Sequence, residues 1–177
     1  MQAVLKIVLL GIALAAGAYD LRYRRIPNWL NLSGLVVGFG VNAALSGWHG
    51  TAAASLGMLC ALVVYVPLYL VHGMGAGDVK LMAAVGAMVG PGSWLEIFLV
   101  TAIIGGVVSL VFIAAKKRFH QTVWNLGIIG AELSHFRVPS KVDERLGVRH
   151  PDSLRLPHGA VIAAGCVVFC LHAGSWI

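Results

Sequence analysis

The sequence predicts an all-α integral membrane protein: a single membrane-embedded domain over 1–177, with about six transmembrane helices and a cytoplasmic amphipathic segment between helices five and six. Three observations carry that expectation. Apolar runs of spanning length recur along nearly all of the 177 residues. Hydrophobic residues make up 59% of the chain and charged residues 11%, with a mean hydropathy of +0.86. Lysine and arginine are confined, with one exception, to alternate connections between the runs. An ordinary soluble domain carries about a quarter charged residues, and no soluble domain of useful size fits between these runs.

The spans fall at 2–18, 29–46, 52–72, 79–91, 94–115 and 157–174. The first lacks a basic start and runs into Tyr19 and Asp20 instead of a small-residue cleavage site, so it reads as a retained helix and not a secretory signal. Spans two and three are joined by Ser46 to Gly50, and spans four and five by Pro91 to Ser93, all without lysine or arginine. The fourth span is short, as helices that shelter a site at membrane depth often are. Arg22, Arg24 and Arg25 follow span one, Lys80 follows span three, and eight further basic residues from Lys116 to Arg155 lie between spans five and six; only Lys6 stands apart. Basic residues in short loops stay on the cytoplasmic side, so both termini face outward and every basic loop inward. The net charge of +6 is then a topology signal that favours an anionic inner leaflet, and no nucleic-acid partner is expected.

Between Lys116 and Arg155, Val123, Leu126, Ile129, Leu133 and Phe136 recur at three- or four-residue steps, predicting a helix on the inner membrane surface followed by a solvated loop. The pairs Gly34/Gly38 and Gly86/Gly90 have the spacing of close helix packing; they also permit a homodimer without requiring one. Ser33, Ser55 and Ser109 read as helix-packing hydroxyls. Cys60, Cys166 and Cys170 lie inside apolar runs and read as small packing residues.

Of the seven acidic residues, Asp20, Asp78 and Glu96 sit at or within span ends. An ionisable group at such depth is expensive, which makes function the default reading. Glu96, beside Trp94 at the outer end of span five, is expected to anchor at the interface. Asp20 ends span one and Asp78 begins span four; two full crossings lie between them, so both face the cytoplasm and can meet. Two carboxylates a few ångströms apart share a proton, and such a pair activates water while protonating a carbonyl, the chemistry of an aspartyl protease. Gly73, Gly75 and Gly77 leave room for an extended substrate backbone beside Asp78. Each aspartate alone is equally well read as an ordinary helix-end charge; the combination lowers that reading. The seven histidines show no HExxH spacing, and no GxSxG elbow or nucleotide-binding loop is present, so no metal and no cofactor are expected.

The segments DLRYRRIPNWL (20–30) and GAGDVKLMAAVG (75–86) resemble the two signature motifs of type IV prepilin peptidases, the GxGD-type membrane aspartyl proteases, and LPHGAVIAAG (156–165) resembles that family's last-span motif. The likeness spans most of the chain outside about 117–150. It implies cleavage of the short basic leader of pilin-like precursors at the cytoplasmic face of a bacterial inner membrane, by Asp20 and Asp78 and without a metal. The larger family members carry an N-terminal region with paired CxxC motifs and also methylate the new amino terminus. This chain starts on a span and lacks those cysteines, so peptidase activity alone is expected, as in the compact enzymes of Flp or tight-adherence pili. His158 stands at an expected aromatic position and is given no direct role. The GxGD segment is shared with presenilin-type proteases, but the Asp20 motif favours the prepilin reading. Arg24 and Lys80, near the site, read first as the inward charge signal and headgroup contacts; Pro27 and Asn28 read as the turn into span two. Two other classes of function are compatible with paired membrane aspartates: a non-enzymatic subunit of a pilus or secretion machine, and a small proton-coupled transporter.

Overall fold

The computed structural model describes residues 3–71, 74–115 and 157–172. The described residues are helical throughout apart from short connections, in the order α1 (Ala3–Tyr23), α2 (Asn28–Leu70), α3 (Ala76–Ala115) and α4 (His158–His172). The expected surface helix and loop between 116 and 155 lie outside the described residues.

α1, α2 and α3 are each long and apolar enough to cross a membrane, and α4 is a shorter apolar helix. α2 has 43 residues and α3 has 40. At 1.5 Å per residue either would run about 60 Å if straight, twice the hydrocarbon thickness of a bilayer. Neither is straight. α2 breaks at Gly47 (φ 56°, ψ −132°) and α3 at Gly90 (φ 75°, ψ 175°), left-handed φ values that glycine adopts without a Cβ penalty. The expected connections at 46–50 and 91–93 are thus single-residue breaks inside otherwise helical chain. The sequence made them loops because glycine, histidine, proline and serine cluster there, yet one left-handed glycine suffices to turn the helix axis.

Both arms of α2 fold back on the first arm of α3. On the 28–46 arm, Gly34 and Gly38 pack on Ala84 and Met88; on the 48–70 arm, Gly57 meets Gly86 backbone to backbone, leaving no room for a Cβ on either. Glycines at an interface let helix backbones approach where lipid offers no hydrophobic drive between helices. The Gly34/Gly38 spacing and Gly86 are therefore used within the bundle, whereas Gly90 serves the break. Asn42 completes that break. Its amide donates to the carbonyls of Ala87 (3.1 Å) and Met88 (3.1 Å), and also to Gly38 (2.9 Å). Pro91 has no N–H for the Ala87 carbonyl, so the Asn42 amide serves an acceptor that the helix itself does not.

α1 packs chiefly on α4, and α4 also on α3. Gly17 of α1 faces Ala163 and Ala160 of α4, where a Cβ would lie 2.9 Å from the Ala163 Cβ. The core joins all four helices through Leu9, Leu30, Tyr65, Leu81, Met88 and Ile162. Leu81 to Met88 are almost wholly buried, so the first arm of α3 is the central post of the bundle. Trp94, expected beside an interfacial Glu96, is instead buried and stacked on Phe98, while Glu96 is exposed. The hydroxyls of Ser33, Ser55 and Ser109 donate to carbonyls three or four residues back in their own helices, not across to a neighbour. A serine hydroxyl reaches its own preceding turn more easily than the next helix. The three cysteines are free thiols.

Candidate active site

Asp20 stands one turn from the end of α1, and Asp78 in the first turn of α3. The fold brings them to the same end of the bundle, where their carboxylates lie within electrostatic reach of each other. Each is held differently. Asp20 is buried, at 8% exposure, and its Oδ2 accepts a 2.8 Å hydrogen bond from the backbone N–H of Gly159. That N–H belongs to the first turn of α4, among the donors a helix leaves without an internal partner. A carboxylate accepting it gains a charge-assisted bond of about 1.5–3 kcal/mol and faces the positive end of the helix dipole. A Cβ at position 159 would lie 2.9 Å from the Asp20 Cβ, so this approach requires glycine.

Asp78 is half-buried and held locally. Its own N–H donates to the Gly75 carbonyl (3.1 Å), as does that of Val79 (3.4 Å), which starts the helix. A Cβ on Gly75 would sit 3.2 Å from Asp78 Oδ2, crowding the carboxylate. Gly77 faces Ile26 of the α1–α2 connection, where a Cβ would lie 3.3 Å from the Ile26 Cβ. Gly75 and Gly77 therefore leave open the face of Asp78 and the packing of the connection, respectively.

The connection carries the remaining sequence candidates. Arg24 has a left-handed φ of 52°, and its N–H closes on the Asp20 carbonyl at 2.9 Å, ending α1. Pro27 (φ −68°, ψ 139°) is the residue that enters α2, in keeping with a turn. Asn28 Oδ1 accepts from Lys80 Nζ at 3.0 Å, which ties the start of α2 to the first arm of α3. Lys80 thus has a protein partner in addition to any lipid. All the sequence-predicted site residues meet at this end of the bundle.

Sequence reasoning missed three neighbours. Asn31, at 4% exposure, donates from Nδ2 to the Gly77 carbonyl at 3.2 Å, and its buried Oδ1 has no partner among the described residues. An amide inside an apolar span, one turn past Asn28, was the available signal. Tyr65, 3% exposed and edge-on to Phe98, lies within electrostatic reach of Asp78; nothing marked it among the aromatics of its span. Gly159 was visible only as part of a motif. His158, beside it, lies within electrostatic reach of Asp20. Among the described residues, no three His, Cys, Asp or Glu side chains gather closely enough to hold a metal ion.

Residues 7–110 match the model of the type IV leader peptidase family, a stretch that contains both aspartates together with Gly75 and Gly77 but not Gly159. The chain belongs to the type IV leader peptidase family. It is similar to the prepilin leader peptidase/N-methyltransferase of Xanthomonas campestris pv. campestris, with 32% identity over 126 residues, or 66% of this chain and 42% of that protein. The chain thus matches less than half the length of that type IV leader peptidase relative. No solved structure matches it.

Proposed function

We propose that the chain is a metal-independent aspartyl endopeptidase that removes the short basic leader of type IV pilin-like precursors at the cytoplasmic face of the bacterial inner membrane. The observation that carries this reading is the meeting of Asp20 and Asp78, 58 positions apart in sequence, at one end of an apolar bundle and within electrostatic reach of each other. Membership of the leader peptidase family and the kinship with a prepilin leader peptidase support the substrate class.

The glycine breaks at 47 and 90 support six crossings, with the arms of α2 and α3 counted as four and α1 and α4 as the other two. The active end then carries the arginines after α1 and Lys80, the positive-inside signature, and faces an anionic leaflet. A precursor whose own hydrophobic helix lies in the same bilayer presents its leader at this depth.

At the scissile peptide the two carboxyls hold one proton between them. The ionised one takes a proton from water as the water oxygen attacks the carbonyl carbon, and the protonated one gives its proton to the carbonyl oxygen. As the tetrahedral intermediate collapses, one of its hydroxyls returns a proton to the pair, the C–N bond breaks, and the proton taken from water passes to the departing amine. The proton belongs to the pair, so neither residue is named sole base or sole acid. The Gly159 N–H fixes one carboxylate in place, and the glycines before Asp78 leave space for the substrate backbone. A transporter needs a site reachable from both faces near the midplane, whereas these carboxylates sit at helix ends.

The test is cleavage of a pilin-like precursor by purified protein, comparing wild type with Asp20→Asn and Asp78→Asn. Leader removal by wild type alone supports the dyad. An Asn variant that still cleaves at the wild-type rate removes that residue from the chemistry, and inert wild type with intact fold returns the non-enzymatic subunit to the front.

A further inference from the structure

Among the described residues no hydrogen bond joins either carboxylate to the other's helix, so something else must set their separation. The chain between them offers one side chain that meets both supports. α1 ends in the left-handed turn at Arg24, and extended Pro27 opens α2, so Ile26 is turned inward, half-buried against the core. On one side it meets Gly77, the residue before Asp78: a Cβ there would lie 3.3 Å from Ile26 Cβ and 3.7 Å from its Cγ1. On the other it meets Gly159, the residue whose N–H holds Asp20: a Cβ there would lie 3.0 Å from Ile26 Cδ1. Two helices thus present bare backbone to opposite ends of one isoleucine. A β-branched side chain is stiff at χ1, so its length acts as a fixed spacer.

We propose that Ile26 is a positioning residue, a wedge between the first turns of α3 and α4 that sets the separation of the Asp20 and Asp78 carboxylates. It touches neither substrate nor the reacting atoms. The inference rests on the dyad reading for its catalytic meaning, but its geometry stands apart from it. Removing the spacer lets α3 and α4 approach or shift, and a misplacement of about 1 Å can cost about 100-fold in rate. Ile26→Val removes only Cδ1, the atom facing Gly159, while Ile26→Ala also removes Cγ1, the farther of the two side-chain atoms facing Gly77, and keeps Cβ.

The experiment has two readouts on full-length protein in lipid nanodiscs. Steady-state cleavage of a pilin-like precursor is expected to show kcat lowered about 10- to 100-fold in Ile26→Ala and less in Ile26→Val, with KM within about twofold of wild type. Separately, spin labels at Leu21 and Ala76, with the native cysteines replaced by alanine, report the distance between the ends of α1 and α3. That distribution is expected to shift or broaden in Ile26→Ala, with helix content retained by circular dichroism. An unchanged distance distribution in Ile26→Ala overturns the proposal, as does a wild-type kcat or a loss confined to KM or to the folded fraction. If instead Asp20→Asn and Asp78→Asn both cleave while the distance still responds to Ile26, the dyad reading fails and the wedge survives.

Discussion

Asp20 and Asp78 are the same residue type at the same end of the bundle, yet they are held by opposite means. Asp78 is set by its own neighbourhood: Gly75 accepts its N–H and leaves its carboxylate room, all within one turn. Asp20 is set at long range, buried and bonded to a backbone donor 139 positions later. The difference teaches that a motif can hold one half of a site entirely, while the other half depends on a helix the motif never mentions. A local arrangement tolerates change elsewhere, whereas a long-range one inherits every shift in the packing of α1 against α4.

The largest expected effect treats the two alike. Asp20→Asn and Asp78→Asn should each lower kcat at least about 1,000-fold, since members of one catalytic unit fail together. Wild type should show a bell-shaped dependence of kcat on pH, the mark of a pair that must hold one proton. A monotonic profile would dissolve the pairing. Gly159→Val should then act on the Asp20 side first. Its Cβ would lie 2.9 Å from the Asp20 Cβ and 3.0 Å from Ile26 Cδ1, and a loss of about 100-fold in kcat with near-normal KM is expected. Unchanged kcat would show that the long-range bond is dispensable. Away from both carboxylates, Gly57→Val should cost about 2–3 kcal/mol or more of stability by overpacking the Gly57–Gly86 contact, read as a lower thermal midpoint in detergent. Asn42→Leu should cost about 1–3 kcal/mol by leaving the Ala87 and Met88 carbonyls without their donor, with the folded fraction still cleaving. The smallest effect is none: chelators should leave the rate unchanged, and inhibition reversed by added metal would end the metal-free mechanism.

Helical architecture, the presence of apolar helices of spanning length and the sharing of one end of the bundle by both aspartates were legible from hydropathy and the positions of Asp20 and Asp78. These are properties summed over many residues or carried by a short motif. The connections at Gly47 and Gly90 were read as loops because composition reports a breaker but not how few residues the break consumes. Asn31 and Ile26 escaped notice for a different reason. Their meaning lies in which backbone they meet, Gly77 for the amide and Gly77 with Gly159 for the isoleucine, and no periodicity in one chain encodes a meeting between distant segments. The serine hydroxyls, read only as helix-packing groups, donate within their own helices, a detail that composition does not carry.

The bond from Gly159 to Asp20 also orders events in time. The ribosome makes α1 before α4, so Asp20 enters the membrane before its backbone donor exists. Until α4 is threaded in, the carboxylate lacks the Gly159 bond. On the proposed dyad, a nascent chain stalled short of α4 would carry both aspartates without the bond that fixes one of them, so the order of synthesis would act as a safety catch.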